Sequence, residues 1–355
     1  MWIHALTKTT ISCIIMNSEE TASLINGISI IVPCYNAESR IKICFDHILE
    51  QQYNGLWEVI RVDNNSSDKT LSLARDFVAS EKPYVTDVSF LHEPRQGRIW
   101  ALLAGVKRAR YNVICHVDDD NYLQSDFLRE LNAFYSLNDV DAVGSLGSPL
   151  IDADTALPSW FNDFHFAYAV GNPVLGKKML DPSKDWVYGA CFSYKVECIH
   201  HLLSLGYQST LIGRSGNSLL SGEDMEFLLA LFMLRKSISF NSKQKFHHYL
   251  PPERLTEAYL LRLHYGFGLA SPTIGLMRSY LAIHEGFLVH LRRNYFFYVL
   301  LQRARYLRIL LIPNKPLILK ARLQSLKGSF SSFLSGYSRW MKCKANLSIL
   351  TKCTF

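Results

Sequence analysis

The sequence has few charged residues and no regular cysteine pattern. Charged residues make up 19% of its 355 positions, whereas 48% are hydrophobic and 12% are aromatic. A chain of this composition can bury a large core, so we expect one large folded domain with an appended region. None of the eight cysteines forms a CxxC pair, which argues against a disulfide framework or a zinc site. We therefore expect reduced, mostly buried thiols in a cytoplasmic protein.

Long uncharged hydrophobic runs are also absent. The best candidate, residues 295–312, contains Arg303, Arg305 and Arg308, which are costly to bury in a bilayer. The first fifteen residues lack the charged start and the small-residue cleavage site of a signal peptide, and Met16 offers a second start. We expect residues 1–26 to be peripheral to the fold and no segment to span a membrane.

Acidic residues are almost missing from the C-terminal quarter. From residue 270 onward there are 14 lysines and arginines and a single acid, Glu285, whereas the preceding part holds 24 basic and 30 acidic residues. This asymmetry indicates an anionic partner surface, either a membrane or a nucleic acid. Basic residues are interleaved here with apolar ones: Arg292, Arg293, Tyr295, Phe296, Phe297, Arg303, Arg305, Arg308 and Leu310. Such a mixture is typical of helices on membrane headgroups, but also of a basic helical region packed on a core.

Short apolar runs alternate with helical periodicity between residues 27 and 144. Runs at 28–32, 57–62, 88–91 and 113–117 predict four strands, separated by segments with one apolar helical face. This alternation predicts an α/β fold, a mostly parallel central sheet flanked by helices. Another helix is predicted at 223–235, and the chain from residue 259 onward is predicted to be mainly helical and basic.

Polar clusters follow three of the predicted strands, at residues 35–36, 63–65 and 118–120. Because ligands of parallel sheets gather beyond the carboxyl ends of the strands, we expect these clusters to share a site. Asp118, Asp119 and Asp120 repel one another, and a fold tolerates such a triplet mainly where a cation neutralises it. The triplet predicts Mg²⁺ or Mn²⁺ bound with a diphosphate, and a solvated acidic turn is the alternative.

A glycine-rich turn is missing after the first predicted strand, where the sequence reads PCYNAE. Oxidoreductases that bind dinucleotides and sugar nucleotidyltransferases need such a turn, so both are disfavoured. A non-catalytic nucleic-acid-binding protein would explain the basic C-terminal region but not the acidic clusters, which repel phosphate unless a metal is bound.

Six motifs resemble one enzyme family. ISIIVPCYNAE, VIRVDNNSSDKT, RQGRIWALLAGVKRA and VICHVDDDNYL, in this order, resemble the nucleotide-binding half of family 2 glycosyltransferases with the GT-A fold. LIGRSGNSLLSGEDMEF and FHHYLPPERLTEAYLLRLHYGFG resemble the acceptor half found in bacterial surface-polysaccharide enzymes. The resemblance covers residues 27–268 and implies a nucleotide-binding half at 27–144 and an acceptor half at 145–268. Residues 269–355 would form a basic amphipathic helical extension.

The resemblance implies a nucleobase site. Pro33, Tyr35 and Asn36 match the loop that packs on the donor base, and Glu38 lies at its edge. Asp63 matches the carboxylate that accepts a hydrogen bond from the base imide, a contact suited to uracil or thymine. The expected donor is therefore a UDP- or dTDP-sugar.

The resemblance also implies a diphosphate and metal site. Arg98 matches the basic residue that approaches the diphosphate. Asp118 and Asp120 match the ends of the DxD motif around Asp119, with Asp120 binding the metal directly and Asp118 serving the ribose or the metal. His248, or its neighbour His247, matches the histidine that can complete the metal or diphosphate site, and a surface histidine is the alternative.

Glu223 and Asp224 match the acidic pair at the start of the acceptor-side helix. By resemblance Asp224 is the general base and Glu223 the second candidate. One acid at a helix N-terminus is also explained by the helix dipole alone. Arg254 and Arg262 fit a role in neutralising the diphosphate or anchoring the acceptor, and equally a structural ion pair.

The implied reaction is inverting transfer of a sugar to a hydroxyl of a glycan or a polyprenyl-diphosphate-linked glycan, in surface polysaccharide synthesis. Mn²⁺ or Mg²⁺ is the expected cofactor, and nucleic acid is not an expected partner. The expected location is the cytoplasm, peripherally on the inner face of the cell membrane. The alternative is a non-catalytic or divergent protein of the same fold that binds nucleotide sugars or nucleic acid.

Overall fold

A computed structural model describes most of the predicted domain and part of the basic extension. The described residues are 25–76, 85–174, 180–182, 184–214, 220–281, 316–335 and 337–352, with positions 294, 297, 298, 300–302, 304 and 308. The segment before residue 25 lies outside them. So do the interleaved basic and apolar residues between 292 and 310, except Phe297 and Arg308.

The alternation of strands and helices in the first half is confirmed. Its elements are β1 (Ile28–Cys34), α1 (Ile41–Leu49), β2 (Trp57–Asp63), α2 (Thr70–Asp76), β3 (Val85–His92), α3 (Arg98–Arg108) and β4 (Val113–His116). β1 pairs in parallel with β2 and β4, and β2 pairs in parallel with β3. The carboxyl ends of β1 and β4 therefore lie side by side.

The second half of the sheet is mixed. Its elements are β5 (Asn121–Leu123), α4 (Phe127–Leu137), β6 (Ala142–Leu150), α5 (Phe161–Phe164), β7 (Ser193–Lys195), α6 (Val196–Ser204), α7 (Glu223–Met233) and β8 (Ile238–Tyr249). The strand order is β3-β2-β1-β4-β7-β6-β8-β5. β7 runs antiparallel to β4 and β6, and β5 runs antiparallel to β8, while β6 and β8 are parallel. The α/β fold class is confirmed, with two strands reversed in a largely parallel sheet.

Helices cover both faces of the sheet. Because side chains alternate along a strand, Ile30 and Val32 pack in one core with Phe45 of α1, whereas Ile31 packs in the other with Leu102 of α3. All of these side chains are buried. The rim between the two cores, at the strand ends, is where side chains can face a ligand.

The C-terminal helices pack on the domain. They are α8 (Glu257–Leu281), α9 (Pro316–Ser335) and α10 (Tyr337–Lys352). α8 continues across the predicted boundary after residue 268, and Gly268 of α8 faces Gly328 of α9 so closely that a Cβ on Gly328 would lie 3.0 Å from the Gly268 Cα. The domain division stays a prediction. Within the described ranges, no helix combines the length and hydrophobicity needed to cross a membrane.

Six of the eight cysteines fall within the described residues. Cys34, Cys44, Cys115, Cys191, Cys198 and Cys343 are all buried and free. The expectation of buried thiols is confirmed for these six, and their reduced state stays a prediction.

Candidate active site

A cavity of about 760 Å³ opens beyond the carboxyl ends of β1 and β4. Its wall includes Pro33 near the end of β1, Tyr35 directly after that strand, and the acidic triplet after β4. The second half of the chain also contributes to the wall, through the start of α7 and a stretch of α8. The site is thus built from both halves, as expected for a sheet with ligands at its strand ends.

Each aspartate of the triplet pairs with its own arginine. Arg98 Nη2 lies 2.8 Å from Asp118 Oδ1, Arg40 Nε lies 2.8 Å from Asp119 Oδ1, and Arg254 Nη1 lies 2.6 Å from Asp120 Oδ2. Arginine side chains of the protein itself therefore neutralise the three adjacent carboxylates, which the sequence had predicted to need a cation. All three arginines line the cavity, where anions can also reach them.

Arg98 begins α3 directly after Gly97, whose φ of 131° is a conformation that favours glycine. From there the guanidinium bonds Asp118, donates to the Gly189 carbonyl at 3.3 Å, and comes within 3.7 Å of Glu223 Oε1. Arg98 thus contacts both acidic groups that the sequence singled out.

Asp119 joins the triplet to the loop after β1. Its Oδ2 accepts a hydrogen bond from the Tyr35 backbone N–H at 3.1 Å, while Oδ1 accepts from Arg40. Burial and the neighbouring Asp120 raise the pKa of Asp119, although Arg40 opposes this. Arg40 was not among the predicted residues. It is the only basic residue between β1 and α1, which is the signal that could have identified it.

Asp120 sits between Arg254 and His248. β5 pairs with β8 so that Asn121 lies opposite His248, and His248 Nε2 is 3.6 Å from Asp120 Oδ2. Burial disfavours the Asp120 carboxylate, but Arg254 and His248 outweigh it and hold the pKa of Asp120 well below its usual range. Asp120 is therefore the member of the triplet most firmly held as an anion.

The His248 ring is oriented by its other nitrogen. Nδ1 lies 2.6 Å from the Tyr168 carbonyl oxygen, which can only accept, so Nδ1 carries a proton. The Nε2 that faces Asp120 can then act in two ways: protonated, it is a cation beside the carboxylate, and unprotonated, it offers a lone pair that can share a metal ion with the carboxylate. The Asp120–His248 pair therefore fits a divalent cation. Within the described ranges, no group of three or more His, Cys, Asp and Glu side chains is arranged as a metal site.

Glu223 and Asp224 begin α7 after Gly222, whose φ is 104°. Asp224 lines the cavity with its carboxylate fixed by two backbone N–H groups, from Gly189 at 3.0 Å and Met225 at 2.8 Å. Gly189 must be glycine here, because a Cβ would overlap the Asp224 side chain. The catalytic prediction thus coincides with an oriented carboxylate in the cavity wall.

Glu223 is less well neutralised. It is 8% exposed, and its Oε2 is buried without a hydrogen-bond partner among the described residues. Burial and the adjacent Asp224 raise the pKa of Glu223 to about 7, although Arg98 opposes this. Glu223 therefore titrates near neutral pH.

Three predicted nucleobase residues do not line the cavity. Asn36 Oδ1 accepts from the Ser67 N–H at 2.9 Å and Glu38 Oε2 accepts from the Lys69 N–H at 3.0 Å, so both join the loops after β1 and β2. Asp63 is fully buried, with His92 Nδ1 2.9 Å from its carboxylate. Pro33 and Tyr35 do line the cavity, as do Arg98, the triplet, Glu223, Asp224 and His248. Arg262 is exposed on α8 and does not line it.

Comparisons with known proteins show what the first half of the chain is similar to. The model of glycosyl transferase family 2 matches residues 29–203. EpsJ, an uncharacterized glycosyltransferase of Bacillus subtilis, is 32% identical over 117 residues, which are 33% of this chain and 33% of EpsJ. The undecaprenyl-phosphate 4-deoxy-4-formamido-L-arabinose transferase of Pectobacterium carotovorum is 25% identical over 124 residues, 34% of this chain and 37% of that protein. The chain thus spans about a third of the length of these curated relatives.

The solved structures support the fold. The mannosyltransferase PcManGT from Pyrobaculum calidifontis, in complex with GDP-Man and Mn²⁺, superposes with a TM-score of 0.50 at 18% identity, covering 92% of this chain and 86% of that one. At this identity the likeness concerns the fold alone. The family match spans β1 to α6 and includes the triplet with two of its three arginines. The chain therefore has a GT-A-like α/β fold, and residues 29–203 are similar to glycosyl transferase family 2.

Proposed function

We propose that the chain transfers a sugar from a nucleoside-diphosphate donor to a hydroxyl of a glycan or lipid-linked glycan, with inversion at the anomeric carbon. One observation carries the proposal: a single cavity holds arginine-paired carboxylates on its donor side and the oriented carboxylate of Asp224. An anionic leaving group needs the arginines of those pairs, and a hydroxyl nucleophile needs a base such as the Asp224 carboxylate.

The donor's diphosphate would lie against Arg98 and Arg254. Both guanidinium groups border the cavity, where they can donate to phosphate oxygens. Each is already paired to an aspartate, so a bound cation would be needed to offset the rest of the diphosphate charge. Arginine is suited to bidentate contacts with phosphate oxygens. Tyr35 offers an aromatic face for the base at the same wall.

Asp120 and His248, with Asp118 nearby in sequence, would hold Mn²⁺ or Mg²⁺. When bound, the ion would neutralise charge that develops on the leaving diphosphate. The mannosyltransferase PcManGT, which shares the fold, was solved in complex with GDP-Man and Mn²⁺, and this is consistent with such a role. Turnover that stops in a chelator and returns with Mn²⁺ is the expected result, and full activity in the chelator would remove the metal from the proposal.

Asp224 would accept the proton of the acceptor hydroxyl as that oxygen attacks the anomeric carbon. Its two backbone N–H bonds fix the carboxylate without neutralising it, which suits a general base. Glu223 is the less suitable candidate because it is almost fully buried beside Arg98. Attack opposite the leaving diphosphate inverts the configuration.

A screen of sugar nucleotides tests the donor assignment. Because Asp63 is covered by His92, the preference for uracil or thymine rests on resemblance alone. Thermal shift and hydrolysis would be measured with UDP-, dTDP- and GDP-sugars in the presence of Mn²⁺. Stabilisation and slow hydrolysis by one base class support the proposal, and no response to any of the three contradicts it.

The chain would work at the inner face of a membrane, where a lipid-linked acceptor is found. Exposed basic side chains occur on α9 at Lys320, Arg322 and Lys327, and residues 316–352 contain no acid. One face of α9 packs on α8 while these cations remain outside, so packing on the core and docking to anionic lipid are compatible. The relative from Pectobacterium carotovorum is named for an undecaprenyl-phosphate substrate.

Vesicle flotation tests the docking. The chain should float with vesicles containing phosphatidylserine and not with pure phosphatidylcholine, and salt should release it. Replacing the three α9 cations with glutamine should abolish flotation. Binding to both vesicle types alike, or to neither, would contradict docking through these charges.

A further inference from the structure

The loop between α6 and α7 is held by a buried carboxylate on one side. Glu226 of α7 is 1% exposed and accepts hydrogen bonds from the Tyr207 hydroxyl, the Ser209 hydroxyl, the Thr210 N–H and hydroxyl, and the Leu211 N–H. Five donors on one carboxylate fix the conformation of residues 207–211. The α7 helix that carries the catalytic carboxylates therefore also anchors this loop.

The C-terminal helix α10 holds the same loop from the other side. Asn346 forms a two-way pair with the Gln208 backbone, donating to its carbonyl at 2.7 Å and accepting from its N–H at 3.4 Å. Asn346 is only 6% exposed, so these bonds are shielded from water. Lys342 adds a bond from Nζ to the Ser209 carbonyl at 3.2 Å. Helix α10 thus makes three polar contacts with a loop about 135 residues earlier in the chain.

The held loop continues directly into the active site. Gly213 has a φ of 80°, and a Cβ placed there would lie 2.9 Å from Glu223 Oε1 and 3.1 Å from the Arg98 Cβ. Arg214 follows in the cavity wall, and its charge acts on Glu223. A shift of this segment would therefore change the surroundings of both Arg98 and Glu223.

We propose that α10 is a positioning element of the active site, acting through Asn346 and Lys342 on residues 207–214. The inference rests on the proposed roles of Arg98 and the Glu223–Asp224 pair. The C-terminal region then has a second role besides docking to the membrane, because the packing of α10 on the domain affects kcat for the bound donor. None of the α10 residues touches the cavity, so their effect on catalysis passes through the loop.

Two lysines of α10 give a matched test. Both Lys342 and Lys344 are exposed, but only Lys342 bonds the loop, so Lys342→Met and Lys344→Met remove the same charge from the same helix. With the soluble chain and no vesicles, Lys342→Met should lower kcat by about twofold to fivefold, the value of one hydrogen bond. Lys344→Met should match the wild type. Equal kcat in the two variants would overturn the proposal.

Asn346→Ala tests the stronger contact. Its kcat should fall by about tenfold, since two shielded hydrogen bonds are lost. The dissociation constant for the nucleoside diphosphate should change less than kcat, because Arg98 keeps its ion pair with Asp118, and amide hydrogen exchange of residues 207–214 should become faster. Faster exchange with unchanged kcat would show that the loop does not control the reaction and would overturn the inference. If Asn346→Ala does not fold, the lysine pair decides.

The outcome is separable from that of the proposed function. Amide hydrogen exchange at residues 207–214 is measured without any sugar nucleotide, so it does not depend on sugar transfer. If the wild type transfers sugar while the Lys342 variant has normal kcat, the inference fails and the proposed function stands. If the wild type transfers no sugar, the proposed function fails.

Discussion

The two acidic groups of the cavity differ in how they are neutralised. Each carboxylate of the triplet Asp118–Asp120 has an arginine within 2.8 Å, whereas the Glu223–Asp224 pair shares Arg98 at 3.7 Å from Glu223. As a result the pKa of Asp120 is held well below its usual range, while that of Glu223 is raised to about 7. The triplet is thus held as fixed charge beside the proposed diphosphate site, whereas the second group contains an acid, Glu223, whose charge changes near neutral pH next to the proposed base Asp224. The difference supports a division between donor binding and proton transfer.

The largest expected effect comes from unpairing Asp120. Asp120→Asn leaves Arg254 buried without its anion, and we expect the free energy of unfolding to fall by about 3–5 kcal/mol. Asp118→Asn is the control, because the Asp118 side chain is 29% exposed and water can replace part of its pairing. The control should lose about 1 kcal/mol or less. Urea unfolding measures both, and equal losses would contradict the view that Asp120 is the most firmly held anion.

Arg98 connects the two groups, and its removal should affect both. Arg98→Gln should lower kcat/KM by about 10²–10³-fold, the value of one charge-stabilising donor at the leaving group. Because Arg98 lowers the pKa of Glu223, that pKa should also rise above 7 in the variant. The pH profile of kcat/KM would show the inflection moving to higher pH. An inflection that stays in place would mean that Arg98 does not act on Glu223.

Glu223→Gln should remove the titration while changing the rate least. We expect the inflection near pH 7 to disappear and kcat at pH 8 to fall by roughly tenfold, since the ionised Glu223 strengthens the neighbouring Asp224 as a base. Glu197→Gln, an exposed glutamate on α6, is the control for loss of one charge.

The same variant has a signature in stability. Burial raises the pKa of Glu223 from its ordinary 4.5, so the stability contributed by the uncharged acid is fully present below pH 4.5 and lost as pH rises through about 7. The free energy of unfolding of Glu223→Gln should therefore increase relative to that of the wild type as pH rises across this window. If the difference in the free energy of unfolding between the two proteins does not change with pH, the pKa of Glu223 is not raised.

The first half of the fold was predictable because its signals are local. Residues 28–32 and 113–117 carry continuous apolar runs, and the segments after them have helical periodicity, so β1, α1 and β4 follow from neighbouring residues. The reversed strands β7 and β5 did not follow, because three-residue strands carry little pattern and their pairing depends on distant parts of the chain. The same limit applies to α10, whose contact with Gln208 spans 138 residues.

The sequence predicted the acidic residues of the site better than it predicted the residues that pair with them. The position of Asp118–Asp120 after a strand and of Glu223–Asp224 at a helix start are properties of the sequence. That Arg40 pairs with Asp119 is a tertiary fact with only a weak local signal. Asp63 is the opposite case: the family resemblance implied contact with the donor base, whereas Asp63 ends β2 with its carboxylate 2.9 Å from His92 Nδ1 at the end of β3.

The division of the site is tested most directly by Asp224→Asn. The variant keeps the size of the side chain and one of the two oxygens that accept from the backbone N–H groups of Gly189 and Met225, but it cannot take up a proton from the acceptor hydroxyl. We predict that sugar transfer falls by about 10²–10⁴-fold while calorimetry gives the same nucleoside-diphosphate affinity as the wild type in the presence of Mn²⁺. Near-normal transfer would move the base to another residue, and a parallel loss of nucleotide binding would contradict the separation of donor binding from proton transfer.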